Sequence, residues 1–515
     1  MTVDVEKHRL RTFVERLVQH GECVVHDAPI DLADVAGVLD TTEQAVWFTQ
    51  VGPERSELVG NVMGSRNRLA LSLDATPATF PKVLRERLAR PIAPVEVSRQ
   101  QAPVQQVVLT GADADLTSLP VNLQHELDGA PYISSSIDYA VDPDSGWTNL
   151  GCRRMMLTGT ATAGIDINAP SDLRAIYQKA MAKGENMPVA FTVASHPSDF
   201  LAAVAVTVPM NEFDVIGAIR GEAVPIVKCV TQDVWVPADA EMVLEGYLDP
   251  RGLVEPEGPY GEFIGYYGAV KRNPLFHLTA ITRRRDALFQ TLTIGGKNLG
   301  RTDTSNLGSA KTEAAIWDVL RLAVREPVAV YCTSSSGGMY NVRVSIKQRY
   351  PGEARNAIAA VFCSIGDVKH VFVVDEDIDV HSDGQVDWAL ATRFQADKDI
   401  VAGSGFRAVP LDPSLAGSRT GAKAGFDCTI PFAQRGSFEF TIPTTPVMHP
   451  APAEPKTLEA ALAKGPLRFV ELMNQMGSRD GREIVRQFDG LLSSGRMRRT
   501  TDGRYELIDG RANGV

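Results

Sequence analysis

Apolar and polar residues alternate in short runs between about residues 105 and 300, and this pattern predicts β-strands. Glycine, proline and aspartate end most of the runs, as they do in turns. Two stretches with helical spacing, 171–185 and 200–208, interrupt the strands. Because many strands with few helices are typical of sheets that close on themselves, we expect a sheet-rich domain with the character of a barrel. The predicted strands are 104–111, 132–141, 152–161, 189–196, 224–230, 275–285 and 287–294.

Helical spacing dominates the two flanks of this strand-rich part. Residues 5–20 carry apolar positions at helical intervals and predict a helix that ends before Gly21. The clearest amphipathic pattern covers 310–326, and we expect this helix to join two domains. Beyond it strands and helices alternate, which predicts an α/β domain. Its predicted elements are strand 342–347, helix 352–366, strand 371–380 and helix 386–394.

A proline-rich stretch, 440–456, predicts a linker that leads into a separate tail. The tail, 457–515, is predicted to hold two helical segments and a hairpin with Asp502 and Gly503 at its turn. This order resembles a winged helix. A small packing or oligomer-contact module is favoured over DNA binding because the rest of the chain is acidic.

The charge balance and the cysteines narrow the class of protein. Lysine and arginine number 52 against 63 aspartates and glutamates, a net charge of −11, which disfavours nucleic acid or an anionic membrane as partner. Six scattered cysteines without a CxxC pair are typical of reduced thiols. No apolar run approaches the ~20 residues of a membrane span, and the first residues lack the apolar core of a signal peptide. We therefore expect a cytoplasmic protein.

The candidate chemistry centres on residues 254–268, which place Glu257 and Glu262 five positions apart among four glycines and two prolines. Such a composition predicts a fixed, non-helical loop that can hold two acids at one point. By spacing alone, a surface turn with solvated acids is the simpler interpretation. Four aromatic residues in the same loop favour a partly dry site, where a carboxyl pKa rises.

A second segment, 147–154, supplies an amide and a guanidinium, Asn149 and Arg154. Two acids with one arginine suit proton transfer, although the segment alone also fits a strand with an exposed base. Oxygen ligands from Asn149, Glu212 and Asp172 would suit Mg²⁺ or Mn²⁺ bridging a phosphate. Asp172 is explained equally well as an acid in the first turn of a helix. No zinc motif, dinucleotide fingerprint or phosphate-binding loop is present in the sequence.

Several segments resemble the UbiD family of reversible decarboxylases, which use prenylated FMN. The resemblance spans about residues 5–445, and the order and separation of the segments agree with the family. The most specific segments are AEMVLEGYLDPRGLVEPEGPYGEFIGYYG (240–268), WTNLGCRR (147–154), NEFDVIGAIRG (211–221), VDEDIDV (374–380) and WALATR (388–393).

The resemblance implies a catalytic network of two glutamates and an arginine. These fall on Glu257, Arg154 and Glu262, and Glu262 would be the proton donor. The lysine that some members place on the cofactor phosphate has no match here. The positions implied to bind the flavin are Asn149, Gly151, Cys152, Arg153, Arg154 and Glu212.

The resemblance also implies two cations. Ligands of a divalent metal, Mn²⁺ or Mg²⁺, fall on Asn149 and Glu212, and the family's histidine ligand falls on or near Asp172. This chain thus lacks that histidine, and Asp172, Asn168 or a water would replace it. The groups that match a K⁺ site are Trp147, Arg393 and Asp427, and those that match a substrate-pocket wall are Val409 and Leu411.

What the resemblance implies is non-oxidative, reversible decarboxylation of an aromatic, heteroaromatic or α,β-unsaturated carboxylic acid, through a covalent prenylated-FMN adduct. A non-catalytic relative that uses its tail to bind a partner or DNA is the alternative. The expected partners are the acid, CO₂, a flavin prenyltransferase that supplies the cofactor, and further copies of the chain in a homodimer or homohexamer.

The fold class expected is α/β (α+β), with a split-barrel-like cofactor domain. The expected division is an N-terminal α/β segment over 1–105, a catalytic domain over 106–305, a linking helix over 306–330, a C-terminal α/β oligomerisation domain over 331–450, and a winged-helix-like tail over 457–515.

Overall fold

A computed structural model of the chain describes residues 4–167, 170–205, 210–365, 367–454 and 456–508. The chain forms two compact units, 1–429 and 430–515. The end of the helix predicted over 200–208, and Asn168, lie outside the described residues.

The N-terminal segment of the first unit is a small α/β layer. Its first helix begins at Leu10, five residues later than predicted, because Arg9 has extended backbone and its side chain donates to Glu241. Apolar residues of this helix are buried against the strands that follow. The elements are α1 (Leu10–Gln19), β1 (Cys23–His26), α2 (Leu32–Thr41), β2 (Ala45–Val51), β3 (Ser56–Gly60), α3 (Arg66–Ser72) and α4 (Phe80–Leu88).

The central segment carries most of the strands, as the sequence predicts. The predicted strand 132–141 coincides with β6. The elements are β4 (Val95–Glu96), β5 (Val107–Thr110), β6 (Tyr132–Val141), β7 (Thr148–Leu157), β8 (Thr162–Ile165), α5 (Asp172–Lys183), β9 (Met187–Val193), α6 (Pro197–Val204), α7 (Phe213–Arg220), β10 (Pro225–Lys228), β11 (Trp235–Pro237), β12 (Met242–Leu248), β13 (Glu255–Glu257), β14 (Tyr260–Gly261), β15 (Tyr267–Gly268), β16 (Lys271–Asn273), β17 (Leu275–Arg283) and β18 (Phe289–Thr291).

Six antiparallel strands close into a barrel in the order β12-β9-β6-β7-β8-β17, because β12 also pairs with β17. Strand β5 pairs with the C-terminal end of β17, and β18 is the last strand of the N-terminal sheet β1-β2-β3-β18. The short sheet β11-β10-β4 and the ladders β13–β16 and β14–β15 lie outside the barrel strands. The expected α/β class with a barrel is confirmed.

Helix α8 (Asp303–Ala323) follows the barrel and begins seven residues before the predicted start. The hydroxyl of Thr302 accepts a hydrogen bond from the amide of Ser305 and caps the helix there. A five-stranded sheet of order β19-β20-β21-β23-β22 comes next, with helices packed on both faces. The elements are β19 (Pro327–Cys332), β20 (Asn341–Ile346), α9 (Glu353–Ser364), β21 (His370–Asp375), α10 (Asp383–Arg393), β22 (Ile400–Arg407) and β23 (Thr420–Asp427).

The second unit has a hydrophobic core of its own. Its described residues contain three α-helices rather than the two helical segments predicted, and the predicted hairpin turns at Asp502 and Gly503. An isolated bridge joins Leu467 to Tyr505. In the described residues of the whole chain, no helix is both long and apolar enough to span a bilayer. The elements are α11 (Leu458–Leu462), α12 (Phe469–Met476), α13 (Arg482–Ser493), β24 (Met497–Arg499) and β25 (Tyr505–Leu507).

Candidate active site

A cavity of about 890 Å³ lies beside β7, between the start of α5 and helix α8. The hairpin that follows β14 closes part of its wall, through Tyr260, Glu262 and Phe263. The lining includes most of the residues that the sequence singles out, namely Trp147, Asn149, Gly151, Cys152, Arg153, Arg154, Asp172, Glu212 and Glu262.

Arg154 holds the two predicted glutamates at this cavity. Its Nε donates to Glu257 at 2.8 Å, its Nη2 to the second oxygen of Glu257 at 3.2 Å, and its Nη1 to Glu262 at 2.9 Å. Both carboxylates are buried. The two acids and the arginine therefore form one ion-paired network, with Glu262 on the cavity wall.

The local fold explains how two acids five residues apart meet one guanidinium. Glu257 pairs across the short ladder β13–β16, whereas Glu262 follows the first strand of the ladder β14–β15. The Tyr260 ring lies 4.6 Å from the Arg154 guanidinium, a cation–π distance. A Cβ at Gly268 would lie 2.6 Å from a Glu262 oxygen, so a larger residue there would displace the Glu262 carboxylate.

Burial sets the protonation of the network. It raises the pKa of Glu262, and the charge of Arg154 opposes the rise without cancelling it. Burial lowers the pKa of Arg154, but the charges of Glu262 and Glu257 outweigh it, so this pKa is raised on balance. The arrangement thus combines a permanent cation with an acid that holds a proton at higher pH than a free glutamate.

The sequence did not reveal three further members of the network. Asp166 lies 2.8 Å from Nη2 of Arg154 and 3.1 Å from Nζ of Lys271. Asn273 donates to Glu257 at 3.0 Å. None of the three lies in a segment whose sequence matches a recognisable motif. Lys271, however, is the cross-strand partner of Glu257 in the β13–β16 ladder. A hairpin prediction over 255–273 would have found it.

The residues proposed to hold a metal also line this cavity. Burial raises the pKa of Glu212 to about 7, assisted by the charges of Asp138 and Asp172 and opposed by a hydrogen bond from the amide of Leu150. The side-chain amide of Asn149 donates to Asp138 at 3.1 Å. Its carbonyl oxygen therefore stays available as a ligand.

These groups fit a hard divalent cation. Within the described ranges, no cluster of three or more histidine, cysteine, aspartate or glutamate side chains is arranged to hold a metal. The fit thus depends on a mixed set, the amide of Asn149 with the acids Glu212 and Asp172, all on the cavity wall. Burial and, to a smaller extent, the neighbouring acids raise the pKa of Glu212, and a bound cation would favour its ionised form.

Four other predicted residues are not brought to this cavity. Arg393 is paired with Asp375 and Asp377, and Asp427 accepts from Thr429, so both are engaged at the five-stranded sheet. Trp147 is on the cavity wall, so the expected K⁺ ligands are not assembled within the described chain.

Val409 and Leu411, the expected pocket wall, are half-buried between β22 and β23 and do not line the cavity. The segment is held elsewhere because Asp412 pairs with Lys369 at 2.7 Å. The residues of the five-stranded sheet region that do line the cavity are Gly337 and Met339, in the connection between β19 and β20. Another lining group that the sequence did not reveal is Lys311 of α8.

Family models match most of the first unit. The N-terminal, Rift-related and C-terminal domains of the 3-octaprenyl-4-hydroxybenzoate carboxy-lyases, the UbiD family, match residues 14–88, 95–298 and 305–428. Two curated relatives agree with them. Anhydromevalonate phosphate decarboxylase of Methanosarcina mazei is 30% identical over 84% of this chain and 98% of its own length. Phenolic acid decarboxylase of Sedimentibacter hydroxybenzoicus is 31% identical over 82% and 91%.

Solved structures of the UbiD-class enzyme HmfF from Pelotomaculum thermopropionicum have the same fold. The complex with FMN has a TM-score of 0.81 at 32% identity and covers 85% of this chain and 98% of that one. An evolved dimeric form in complex with prFMN has a TM-score of 0.77 at 30% identity and covers 85% and 97%. The chain therefore belongs to the UbiD family, and it is a carboxy-lyase.

Proposed function

We propose that the protein catalyses the reversible, non-oxidative decarboxylation of an aromatic, heteroaromatic or α,β-unsaturated carboxylic acid, with prenylated FMN as cofactor. The observation that carries the proposal is the buried Arg154–Glu257–Glu262 network, with Glu262 facing the cavity. The names of the two relatives, which act on phenolic acids and on anhydromevalonate phosphate, support this substrate class. The prFMN complex of HmfF supports the cofactor.

The chemistry explains the need for a cofactor. Loss of CO₂ from an sp² carbon leaves an electron pair in the plane of the double bond, and a bound prenylated flavin supplies the electron sink that the substrate lacks. The chain's own residues then have to bind the carboxylate, exclude water and deliver one proton. We propose Glu262 as the donor of that proton; its support is that it lines the cavity and that burial raises its pKa.

Arg154 acts on this acid more than on the substrate. A guanidinium offers five N–H donors, and contacts to Glu257, Glu262 and Asp166 engage four of them. One Nη1 hydrogen is left for a substrate carboxylate. We infer that Arg154 and Glu257 fix the orientation of Glu262 and hold its second oxygen toward the reacting carbon.

Asn149, Glu212 and Asp172 would hold Mn²⁺ or Mg²⁺, whose charge suits a cofactor phosphate. Arg153 and Lys311 add positive charge to the same cavity. A K⁺ ion near Trp147 stays a prediction, as do a homodimeric or homohexameric assembly and a cytoplasmic location. So does the division into five domains.

The test is CO₂ release from a panel of aromatic, heteroaromatic and α,β-unsaturated acids, with protein co-expressed with a flavin prenyltransferase. Turnover of at least one class is expected, together with exchange of the substrate's carboxylate with labelled CO₂. Elemental analysis should find Mn or Mg in the loaded protein and a loss of that metal in Asp172→Ala. A loaded, folded protein that turns over no member of the panel would contradict the proposal.

A further inference from the structure

Asp166 and Lys271 attach a second ion pair to the catalytic network. Nζ of Lys271 lies 3.1 Å from Asp166 and 3.8 Å from the same Glu262 oxygen that Arg154 contacts. Asp166 bridges the two cations, because its Oδ2 is also 2.8 Å from Arg154. Five charged side chains thus form one continuous cluster, of which Arg154 and Glu262 line the cavity.

The charges of this cluster do not balance when every group is ionised. Two cations, Arg154 and Lys271, face three acids, which leaves one negative charge in excess. One proton on one acid makes the cluster neutral, and a buried cluster favours neutrality because uncompensated charge is costly away from water. Glu262 lines the cavity and is almost fully buried, and burial raises its pKa, so we assign that proton to Glu262.

Lys271 is the part of the cluster that is most open to solvent. Its side chain is 27% exposed, whereas that of Glu262 is 3% exposed. The other groups that face Glu262 are Arg154 from β7, Glu257 from β13 and the Tyr260 phenol from β14. Arg154 and Glu257 are held to each other by two hydrogen bonds. Asp166 and Lys271 are the remaining charges of the cluster, and their substitution removes neither of these two bonds.

We propose that Asp166 and Lys271 are positioning residues that set the pH at which Glu262 holds its proton, with opposite signs. This rests on the proposed function only in so far as Glu262 is the proton donor. The Lys271 cation stabilises the Glu262 carboxylate. Asp166 partly neutralises both cations and so stabilises the protonated acid.

The test measures the protonation of Glu262 directly, in full-length protein without cofactor. The carboxylic C=O band is followed by infrared difference spectroscopy across pH, and Glu262→Gln identifies which band belongs to Glu262. Asp166→Asn should lower the midpoint by about one pH unit and Lys271→Gln should raise it by about one unit. The double variant should return toward the wild-type midpoint, and Lys271→Arg should keep it.

A matched control is the surface pair Lys228 and Asp233, 2.6 Å apart and exposed. Lys228→Gln and Asp233→Asn should leave the midpoint unchanged. Thermal unfolding of each variant checks that it is folded. Single variants that both shift the midpoint in the same direction, or that shift it no more than the surface controls, would overturn the proposal.

The same variants of cofactor-loaded enzyme give a second readout. The rate should fall as the pH rises through the pKa of Glu262, because the acid form is then lost. That fall should move to lower pH in Asp166→Asn and to higher pH in Lys271→Gln. If the two single variants shift the infrared midpoint in opposite directions but the wild-type enzyme turns over no substrate, the roles of Asp166 and Lys271 remain supported. The proposed function is then contradicted instead.

Discussion

Arg154 and Arg220 of the first unit each pair with at least two carboxylates, and of these two arginines Arg154 lines the cavity described above. Arg220 donates to Asp199 at 2.8 and 2.7 Å and to Asp239 at 2.6 Å. These three side chains are almost fully enclosed, and none lines the cavity. The pairing chemistry is the same in the two clusters, so pairing alone does not identify an active site.

The surroundings of the two clusters differ in what can titrate. Next to Arg220 lie His8 and His196, and burial with the charge of Arg220 lowers the pKa of both rings. Next to Arg154 lie Lys271 and Asp166, which couple a cavity-facing acid to solvent. We infer that an arginine–carboxylate cluster becomes catalytic when one acid faces a cavity and the charges around it leave room for one proton.

The largest effect is expected from Glu262→Gln, which keeps the volume and cannot deliver a proton. General acid catalysis contributes roughly 10²- to 10⁴-fold to the rate, so kcat should fall by at least about 10²-fold while the flavin remains bound. The measurement is CO₂ release with cofactor content followed by absorbance. The matched control in the enclosed cluster is Asp239→Asn, which should leave kcat per folded molecule unchanged. Wild-type turnover in loaded Glu262→Gln would remove Glu262 from the mechanism.

The same substitution at the two arginines should give opposite readouts. Arg154→Lys keeps the charge but loses the planar fork that holds Glu257 and Glu262, and kcat should fall by about 10²-fold. Arg220→Lys loses the equivalent fork inside the core, where a broken pair costs about 3 kcal/mol of unfolding free energy. Its kcat per folded molecule should stay unchanged.

Urea unfolding and CO₂ release of both lysine variants check this contrast. The expectation is a stability loss for Arg220→Lys that clearly exceeds that of Arg154→Lys, and an activity loss in the reverse order. Equal losses of activity in the two variants would mean that the enclosed cluster also supports catalysis, and the distinction drawn from the cavity would be wrong.

The histidines beside Arg220 predict a pH dependence of stability. The pKa of His8 is about 3 in the folded chain and 6.5 when unfolded, so the unfolded state binds more protons between these values. The contribution of neutral His8 to the free energy of unfolding is therefore fully present above about pH 6.5. About 2 kcal/mol of it is lost when the pH falls to about 5. His196 adds a loss of the same sign.

Urea unfolding at about pH 7.5 and about pH 5 measures this loss, with His8→Gln as the comparison. Glu222 lies 2.8 Å from the His8 ring, and a glutamine at this position stays neutral at both pH values. The variant should lose less stability on acidification than wild type. If the two chains respond equally to pH, the folded state gains nothing from a neutral His8.

The sequence predicts those features of the molecule that arise from residues close together in the chain, and it misses contacts between distant segments. The loop around Glu257 and Glu262 was recognisable because its glycines, prolines and aromatic residues stand together, and strand runs such as 132–141 predicted the barrel. Asp166 and Lys271 were missed because their pairing arises only when β8, β13 and β16 come together.

Other differences have physical reasons of the same kind. Val409 and Leu411 were expected at the pocket from resemblance alone, and the ion pair of Asp412 with Lys369 places their segment at the five-stranded sheet instead. In the tail, α11 is only five residues long and lacks the length that makes a periodic pattern recognisable. The mixed metal set was predicted from oxygen chemistry, and the crowding of Glu212 by Asp138 and Asp172 became visible only in three dimensions.

The smallest effect on the two clusters is expected from removal of the tail. Its helices and hairpin share one apolar core, and its arginines have partners within it, since Arg498 pairs with Glu506 and Arg499 lies over the ring of Tyr505. Asn474 forms hydrogen bonds with the backbone of Val447 and His449, so a chain that ends after Pro446 loses these contacts together with the tail.

We expect kcat and the loss of stability on acidification to be unchanged in this truncated chain, and one unfolding transition to disappear. The mass in solution tests whether the tail has a role in assembly. Full-length protein should bind duplex DNA weakly at low and at high salt. Tight, salt-sensitive DNA binding that the truncation abolishes would assign the tail a nucleic-acid role, and a large fall in kcat would make the active site depend on both units.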